Sequence, residues 1–398
     1  ALAEARGHNA SGRYVRGDEA LAERVEARDG SARIDALLAQ ARYRQSRDAV
    51  GALDAYRRAL QDAADDRVLS IFREALTWLV ATRQLEHARE WLPAVPLERI
   101  ASAPETAATA AAVLLTSGDV STASDLVDRA LSEGDPPSRL LAVQAAVLTE
   151  KGAPEEAAAV WDAAVDSSNR ADWALLARAR FQIRHRAELE DEGTAELDLR
   201  ELLRARPDNE EARRLLTQCF LDRNEPAAAI PHLEHLIKTN ADETALWSTL
   251  VTACIRAGEW QRASALLHDP QLALPDARRF RFLSRIWSAR QRPVTALLYA
   301  RRAWQRQPTA ETAYEYLAQL LTQGRFREAN ATLESAPQSV LEDPSIRALQ
   351  TRTRMRLDQI TRAQASTAFA ELLENVASDH DAGSRILRQI SDMVDDFG

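Results

Sequence analysis

Residues 244–277, TALWSTLVTACIRAGEWQRASALLHDPQLALPDA, decide the fold. Trp247, Leu250 and Cys254 recur three and four apart before Gly258, and Trp260, Ala263, Leu266 and Leu267 do the same after it. This is the 3.6-residue period of one apolar helix face, not the 2-residue alternation of a strand. Gly258 stands where the first helix must stop, because glycine enters the left-handed conformation of a helix terminus without a Cβ clash. The spacing predicts two amphipathic helices joined by a tight turn, with Pro275 near the end of the unit. One such pair has too little apolar surface to be stable alone, so it must stack on neighbours of its own kind.

The neighbours are visible at a regular step. The Ala263 slot recurs as Ala52, Ala88, Ala123, Ala157, Ala195, Ala229, Ala296, Ala329 and Ala365, at intervals between 33 and 38 residues. Four residues after each alanine stand Tyr56, Leu92, Val127, Trp161, Leu199, Leu233, Leu267, Ala300, Leu333 and Phe369, all but one of them bulky and apolar. A small residue lets two helices approach, and a large one a turn later fills the gap beside it. Gly118, Gly152, Gly258 and Gly324 mark the turn inside the pair, with Asn224 as a substitute. Pro154, Pro226 and Pro293 share the first position of the second helix, where a missing N–H costs nothing. Pro207, Pro275 and Pro308 share the slot that ends a unit. Arg47, Arg83 and Ile360 take the glycine slot in the two first units and the last.

This pattern of small residue, large residue, turn glycine and terminal proline at a 34-residue step resembles the tetratricopeptide repeat family, with Trp173 and Trp247 at its first-helix aromatic. The resemblance covers residues 31–378, nearly the whole chain. It implies an all-α fold: an α-solenoid, a right-handed superhelix of about ten helix-turn-helix repeats. Residues 1–30 read as an irregular segment with a capping helix over Asp18–Arg28, and residues 379–398 as a C-terminal capping helix carrying Ile386, Ile390 and Met393 on one face. The longest step comes from extra residues around His185–Gly193, where Glu188, Glu190, Asp191 and Glu192 read as a solvated loop or an acidic contact point on one rim.

Composition agrees with helices: among 398 residues there are only 13 Gly and 15 Pro. No run approaches the length of apolar chain that spans a bilayer. The chain begins at Ala1 with no visible signal peptide, as a processed or excised piece of a longer protein would. Of its net charge of −9, residues 277–398 carry 18 Arg against 14 acids, a surplus of +4, which leaves −13 for residues 1–276. Overall acidity argues against a dedicated nucleic-acid binder. Cys219 and Cys254 fall at neighbouring slots of successive first helices and read as small buried apolar residues, with no CxxC or third ligand to suggest a metal.

Catalytic signatures are lacking. The sequence holds no GxxxxGK phosphate loop, no GxGxxG after a strand, no GxSxG and no HExxH. His232 and His235 have a metal-compatible spacing but no third ligand, and Asp379, His380 and Asp381 read as a polar turn. The chain is expected to be no enzyme and to need no cofactor or metal.

Ala277–Arg306 is the electrostatic exception, with Arg278, Arg279, Arg281, Arg285, Arg290, Arg292, Arg301, Arg302 and Arg306 interleaved with Phe280, Phe282, Trp287, Tyr299 and Trp304. On a helix, Arg278, Arg281 and Arg285 share one stripe, opposite Phe280, Leu283 and Trp287, which read as core. The family resemblance implies that this stripe lines a concave groove. Arg347 and Arg354 take the matching slots two repeats on, with Glu311 and Tyr314 between. Arg278, Arg281, Arg285, Tyr314, Arg347 and Arg354 are therefore the candidate partner-binding residues, a wall of guanidinium forks suited to an acidic segment.

The expected function is a non-catalytic scaffold that docks a protein partner in that groove. The arrangement also resembles repeat regions of bacterial exopolysaccharide-export envelope proteins, which implies a polysaccharide-modifying enzyme as partner and a periplasmic or envelope location ahead of a cytoplasmic one. The alternative is an anionic polymer or nucleic acid along the basic wall of residues 277–306 and 347–356. Successive groove positions Ala245, Ser248, Arg278 and Glu311 show no base-reading code.

Overall fold

The computed structural model describes residues 14–189, 193–269, 272, 274–376 and 380–395, and among them the only regular structure is helical. Two compact units divide at Pro207 and Asp208. In the first, α1 (Tyr14–Glu26) precedes the hairpins α2 (Gly30–Arg44) with α3 (Ala49–Asp62), and α4 (Asp65–Ala81) with α5 (Leu85–Trp91). The short α6 (Leu97–Ala101) leads to α7 (Pro104–Thr116) with α8 (Val120–Leu131), and then α9 (Ser138–Glu150) pairs with α10 (Pro154–Ser167). The unit ends with α11 (Asp172–Arg184), the short α12 (Arg186–Leu189) and α13 (Thr194–Ala205).

The second unit repeats the plan. Its hairpins are α14 (Glu210–Asp222) with α15 (Pro226–Thr239), α16 (Thr244–Arg256) with α17 (Trp260–Leu267), and α18 (Asp276–Ala289) with α19 (Pro293–Arg306). Then come α20 (Ala310–Thr322) with α21 (Phe326–Glu334), the short α22 (Gln338–Leu341), α23 (Pro344–Arg356) with α24 (Arg362–Asn375), and α25 (His380–Asp395). The fold is an all-α solenoid of stacked hairpins, as the 34-residue step predicts.

All ten slot alanines are buried, and so are all ten residues four positions later. The large ones fill the seam between helices. Trp91 stacks on Phe72 of the preceding helix at 6.1 Å and meets Tyr56 edge-on at 6.3 Å. The hairpin turns close by one device: Glu259 N donates to Cys254 O at 2.8 Å across a left-handed Gly258, φ +78°. The same bond links Asp119 to Leu114, Ala153 to Leu148, Glu225 to Phe220 and Arg325 to Leu320. It satisfies carbonyls that the end of a helix leaves without a partner.

Glycine is not obligatory there. Arg83, Asn224 and Gln291 take the same left-handed conformation (φ +57°, +60° and +55°), held by the hydrogen bond that follows. In the last hairpin the left-handed residue is Asp358, not Ile360, because Thr361 caps α24 in a box with Gln364 and lengthens the turn. The first hairpin dispenses with such a residue at Arg47: Asp48 caps α3 through Gly51 N at 2.9 Å. As the proline spacing predicts, α10, α15 and α19 begin on Pro154, Pro226 and Pro293.

Helix α1 begins before Asp18, so that acid serves no first turn. It instead takes Arg44 at 3.0 Å and Arg47 at 2.7 Å, while Leu21 buries against Tyr43. Glu188 in the irregular stretch meets His185 Nδ1 at 2.8 Å, and Glu190, Asp191 and Glu192 lie outside the described residues. So do Asp379 and the side chains of His380, Asp381 and Met393.

Cys219 and Cys254 are buried, and neither is in a disulfide. Charges stitch successive hairpins together: Arg42 grips Glu74 with two bonds of 2.6 and 2.7 Å, and Arg214 reaches Glu243 at 2.6 Å. Arg178 and Asp198, both buried, are joined by two 2.7 Å hydrogen bonds. No described helix is long and apolar enough to cross a membrane.

Candidate partner groove

In the second unit, α16, α18, α20 and α23 are the first helices of four consecutive hairpins, and a cleft of about 790 Å³ opens along them. Thr252, Ile255 and Arg256 come from α16, Arg285, Ser288 and Ala289 from α18, Tyr314, Glu315, Ala318, Gln319 and Thr322 from α20, and Arg352 from α23. The remaining wall is α25, with Ser384, Arg385, Arg388, Gln389 and Asp392. No second helix contributes. The alanine slots press the second helices into the seams, leaving the outer stripe of each first helix free to face the cleft.

The residues anticipated for this site divide. Arg285 lines the cleft, while Arg281, on the same helix, lies outside its lining, and each meets an acid one hairpin on: Arg281 pairs with Glu311, and Arg285 Nε donates to Glu315 Oε2 at 3.1 Å. Glu315 also accepts from Ser284 Oγ at 3.2 Å. Tyr314 is in the cleft. Arg278, Arg347 and Arg354 are exposed and outside its lining. On α23 it is Arg352 that faces inward. Counting by second-helix alanines runs the two extra residues of the last turn into the register, whereas the first helices begin at Asp276, Ala310 and Pro344, an even 34 apart. A register error of one residue turns a helix face by about 100°.

The long basic stretch is likewise split. Arg301, Arg302 and Arg306 belong to α19, a second helix, and do not continue the cleft. Arg302 instead lies over Tyr299 at 5.7 Å, and Arg290 over Trp287 at 4.7 Å. Of the interleaved aromatics, Phe282 is buried in the hairpin, while Phe280 and Trp287 are half-buried.

Electrostatics in the cleft are dominated by guanidinium groups. Arg256, Arg285, Arg352, Arg385 and Arg388 face two acids, Glu315 and Asp392. Beside them, burial and the neighbouring Arg285, Arg385 and Arg278 push the Arg281 guanidinium down to about 10, although Glu315 opposes the shift. Desolvation is the largest cause of that shift, and the neighbouring guanidinium groups add to it. Arg352 is buried and donates through Nη1 to Gln389 Oε1 at 3.0 Å and Asp392 Oδ2 at 2.8 Å. Gln389, buried as well, donates its Nε2 to the Tyr314 hydroxyl at 3.3 Å. Burial pushes the Tyr314 phenol up, so its own proton stays on as a donor. Arg385 lies over the same ring at 5.3 Å.

Three of these, Arg385, Arg388 and Gln389, went unread because only the apolar face of α25 shows a period in the sequence. The signal was the i, i+3 spacing of Arg385 and Arg388 opposite Ile386 and Ile390. His232, considered as a metal ligand, stacks on Phe220 at 5.7 Å. Among the described residues no three His, Cys, Asp or Glu gather as a metal site.

The geometry defines a helical-hairpin array with an open, basic cleft. Residues 220–286 match the tetratricopeptide repeat family. Among solved structures, a tetratricopeptide repeat protein from Parabacteroides merdae is similar at 15% identity over 72% of this chain and 98% of that one, TM-score 0.36. The structure of Naa15/Naa10 bound to HypK-THB is similar at 13% identity over 82% of this chain and 55% of that one, TM-score 0.46. Pseudomonas aeruginosa pilF is similar at 17% identity over 56% of this chain and 97% of that one, TM-score 0.36. No curated protein matches the chain.

Proposed function

We propose that the protein is a non-catalytic scaffold whose second unit holds an acidic segment of a protein partner in the cleft along α16, α18, α20 and α23. Arrays of this repeat class generally serve protein–protein interaction. The observation that carries the reading is the makeup of the cleft: every lining residue comes from a first helix or from α25, and arginines outnumber acids five to two. Its helices are ordered by their stacking, so a partner segment pays the ordering cost mainly on its own side. The cleft is open, polar and elongated over four hairpins, which suits an extended chain better than a compact metabolite.

Chemistry also favours carboxylates over a long polyanion. The basic side chains of the cleft are interrupted by Glu315 and Asp392, whereas a long polyanion is best served by a continuous cationic track. A place in a bacterial envelope or exopolysaccharide-export assembly rests on the family-level likeness of the repeat pattern alone. Fractionating cells that express the full-length gene tests it, and a purely cytoplasmic product would remove it.

A photo-crosslinking acidic peptide, mixed with the whole chain and mapped by mass spectrometry, tests the groove. Labels should fall on α16, α18, α20 or α25. Labelling confined to second helices or to residues 14–205 would sink the proposal.

A further inference from the structure

We propose that the cations which capture the acidic segment are Arg385 and Arg388 on α25, not the Arg281 and Arg285 wall. This rests on the groove reading above and assigns the binding energy within it. The argument is one of exchange. An arginine that already holds an internal carboxylate gains little from a ligand carboxylate, because one charge-assisted hydrogen bond replaces another. Arg281 holds Glu311, Arg285 holds Glu315, and Arg352 holds Asp392 and Gln389. Arg256 is occupied by Asn224 Oδ1 at 2.7 Å.

The two arginines of α25 differ. Arg385 contacts the face of Tyr314, an interaction that leaves its N–H groups available, and Arg388 is exposed with no acid in ion-pair reach among the described residues. An incoming carboxylate meets these two without breaking an internal pair and displaces only their water. They lie three residues apart on one helix, with Cβ atoms about 5–6 Å from each other. Acidic side chains at alternate positions of an extended peptide are about 6.6 Å apart and match that gap.

A third donor is set by the network behind them. Asp392 fixes Arg352, and Arg352 takes the Gln389 carbonyl oxygen. The Gln389 amide therefore points its N–H at the Tyr314 oxygen. With its acceptor side engaged, Tyr314 is left to donate its own proton toward an anion beside Arg385. Helix α25 is then a wall of the binding site as well as the end of the stack. Its preferred ligand is an extended peptide with acids at alternate positions.

The test uses the full chain and a fluorescein-labelled peptide of alternating Glu and Gly, with anisotropy as the readout. Arg385→Gln with Arg388→Gln should weaken binding by about tenfold or more, whereas Arg281→Gln with Arg285→Gln should change it by less than about threefold. Circular dichroism melts check that both variants fold. If the native chain binds and the wall pair carries the loss instead, the assignment to α25 is overturned while the groove reading stands. Binding indifferent to both pairs overturns both, as does a native chain that ignores the peptide. A second variant, Tyr314→Phe, should weaken binding, with its melt recorded alongside because the change also strips the buried Gln389 Nε2 of its acceptor. An unchanged affinity there removes the hydroxyl from the site.

Discussion

Replacing Asp198 with alanine should damage the first unit more than any surface charge change. Asp198 is 1% exposed and accepts from Nε and Nη2 of Arg178 at 2.7 Å each, with Arg170 Nη2 at 3.4 Å. Its loss leaves a buried guanidinium with two unmet donors, and breaking a buried pair costs about 3–5 kcal/mol. Arg178 Nη1 keeps its 2.8 Å contact with Asp162, whose side chain is 61% exposed, so the lower end applies. About 3 kcal/mol corresponds to a fall of roughly 6–12 °C in the melting temperature of a unit of this size. Hydrogen exchange over α11 and α13 locates the loss, and calorimetry measures it. Replacing both partners, Arg178→Met with Asp198→Leu, should recover most of it, since no charge is then left buried. A single variant that loses under about 1 kcal/mol, or a double variant as damaged as the single, would refute the view that this pair locks α11 to α13.

Other expectations follow from single contacts. Gly258→Ala puts a Cβ at φ +78° with nothing within 4 Å to clash, so urea unfolding should show only the backbone cost, about 1 kcal/mol. Burial pushes the Cys254 thiol up to about 11, so it should resist thiol reagents at pH 8 in the native chain and react fully in urea. Rapid native labelling of Cys254 would contradict its place in the seam. Glu74 is held below the ordinary carboxylate range, first by its bonds from Arg42 and then by Tyr56. Its contribution to stability is therefore complete above about pH 4.5 and lost as pH falls further through its folded value. Glu74→Gln should lower the melting temperature at pH 7 and flatten the acid limb. An unchanged acid limb would mean that other carboxylates set it.

Much of the architecture was legible because stacking imposes a rule on each unit. A buried seam needs a small residue at Ala263 and a large one at Leu267, and the demand recurs every 34 residues, so chance cannot imitate it. The turn was legible wherever the left-handed residue is glycine. It was also placed at Asn224 and, as a departure from glycine, at Arg83, and was hidden at Gln291 and Asp358, where the following hydrogen bond holds an ordinary residue in that conformation. The groove was only half legible. Arg285 and Tyr314, read from their stripe, line the cleft and Arg281 does not, while Arg352 lines it where Arg347 and Arg354 were expected.

Sequence alone determined the helical hairpins and the small-and-large seam of each, because apolar burial depends on local spacing that any window of the chain displays. Tertiary structure alone decided which charges meet. Glu315 neutralises Arg285 across 30 residues, and Gln389 reaches Tyr314 across 75. Such pairings depend on the angle between stacked helices. A single residue of slippage turns a side chain by about 100°, and no periodicity in the sequence fixes that angle.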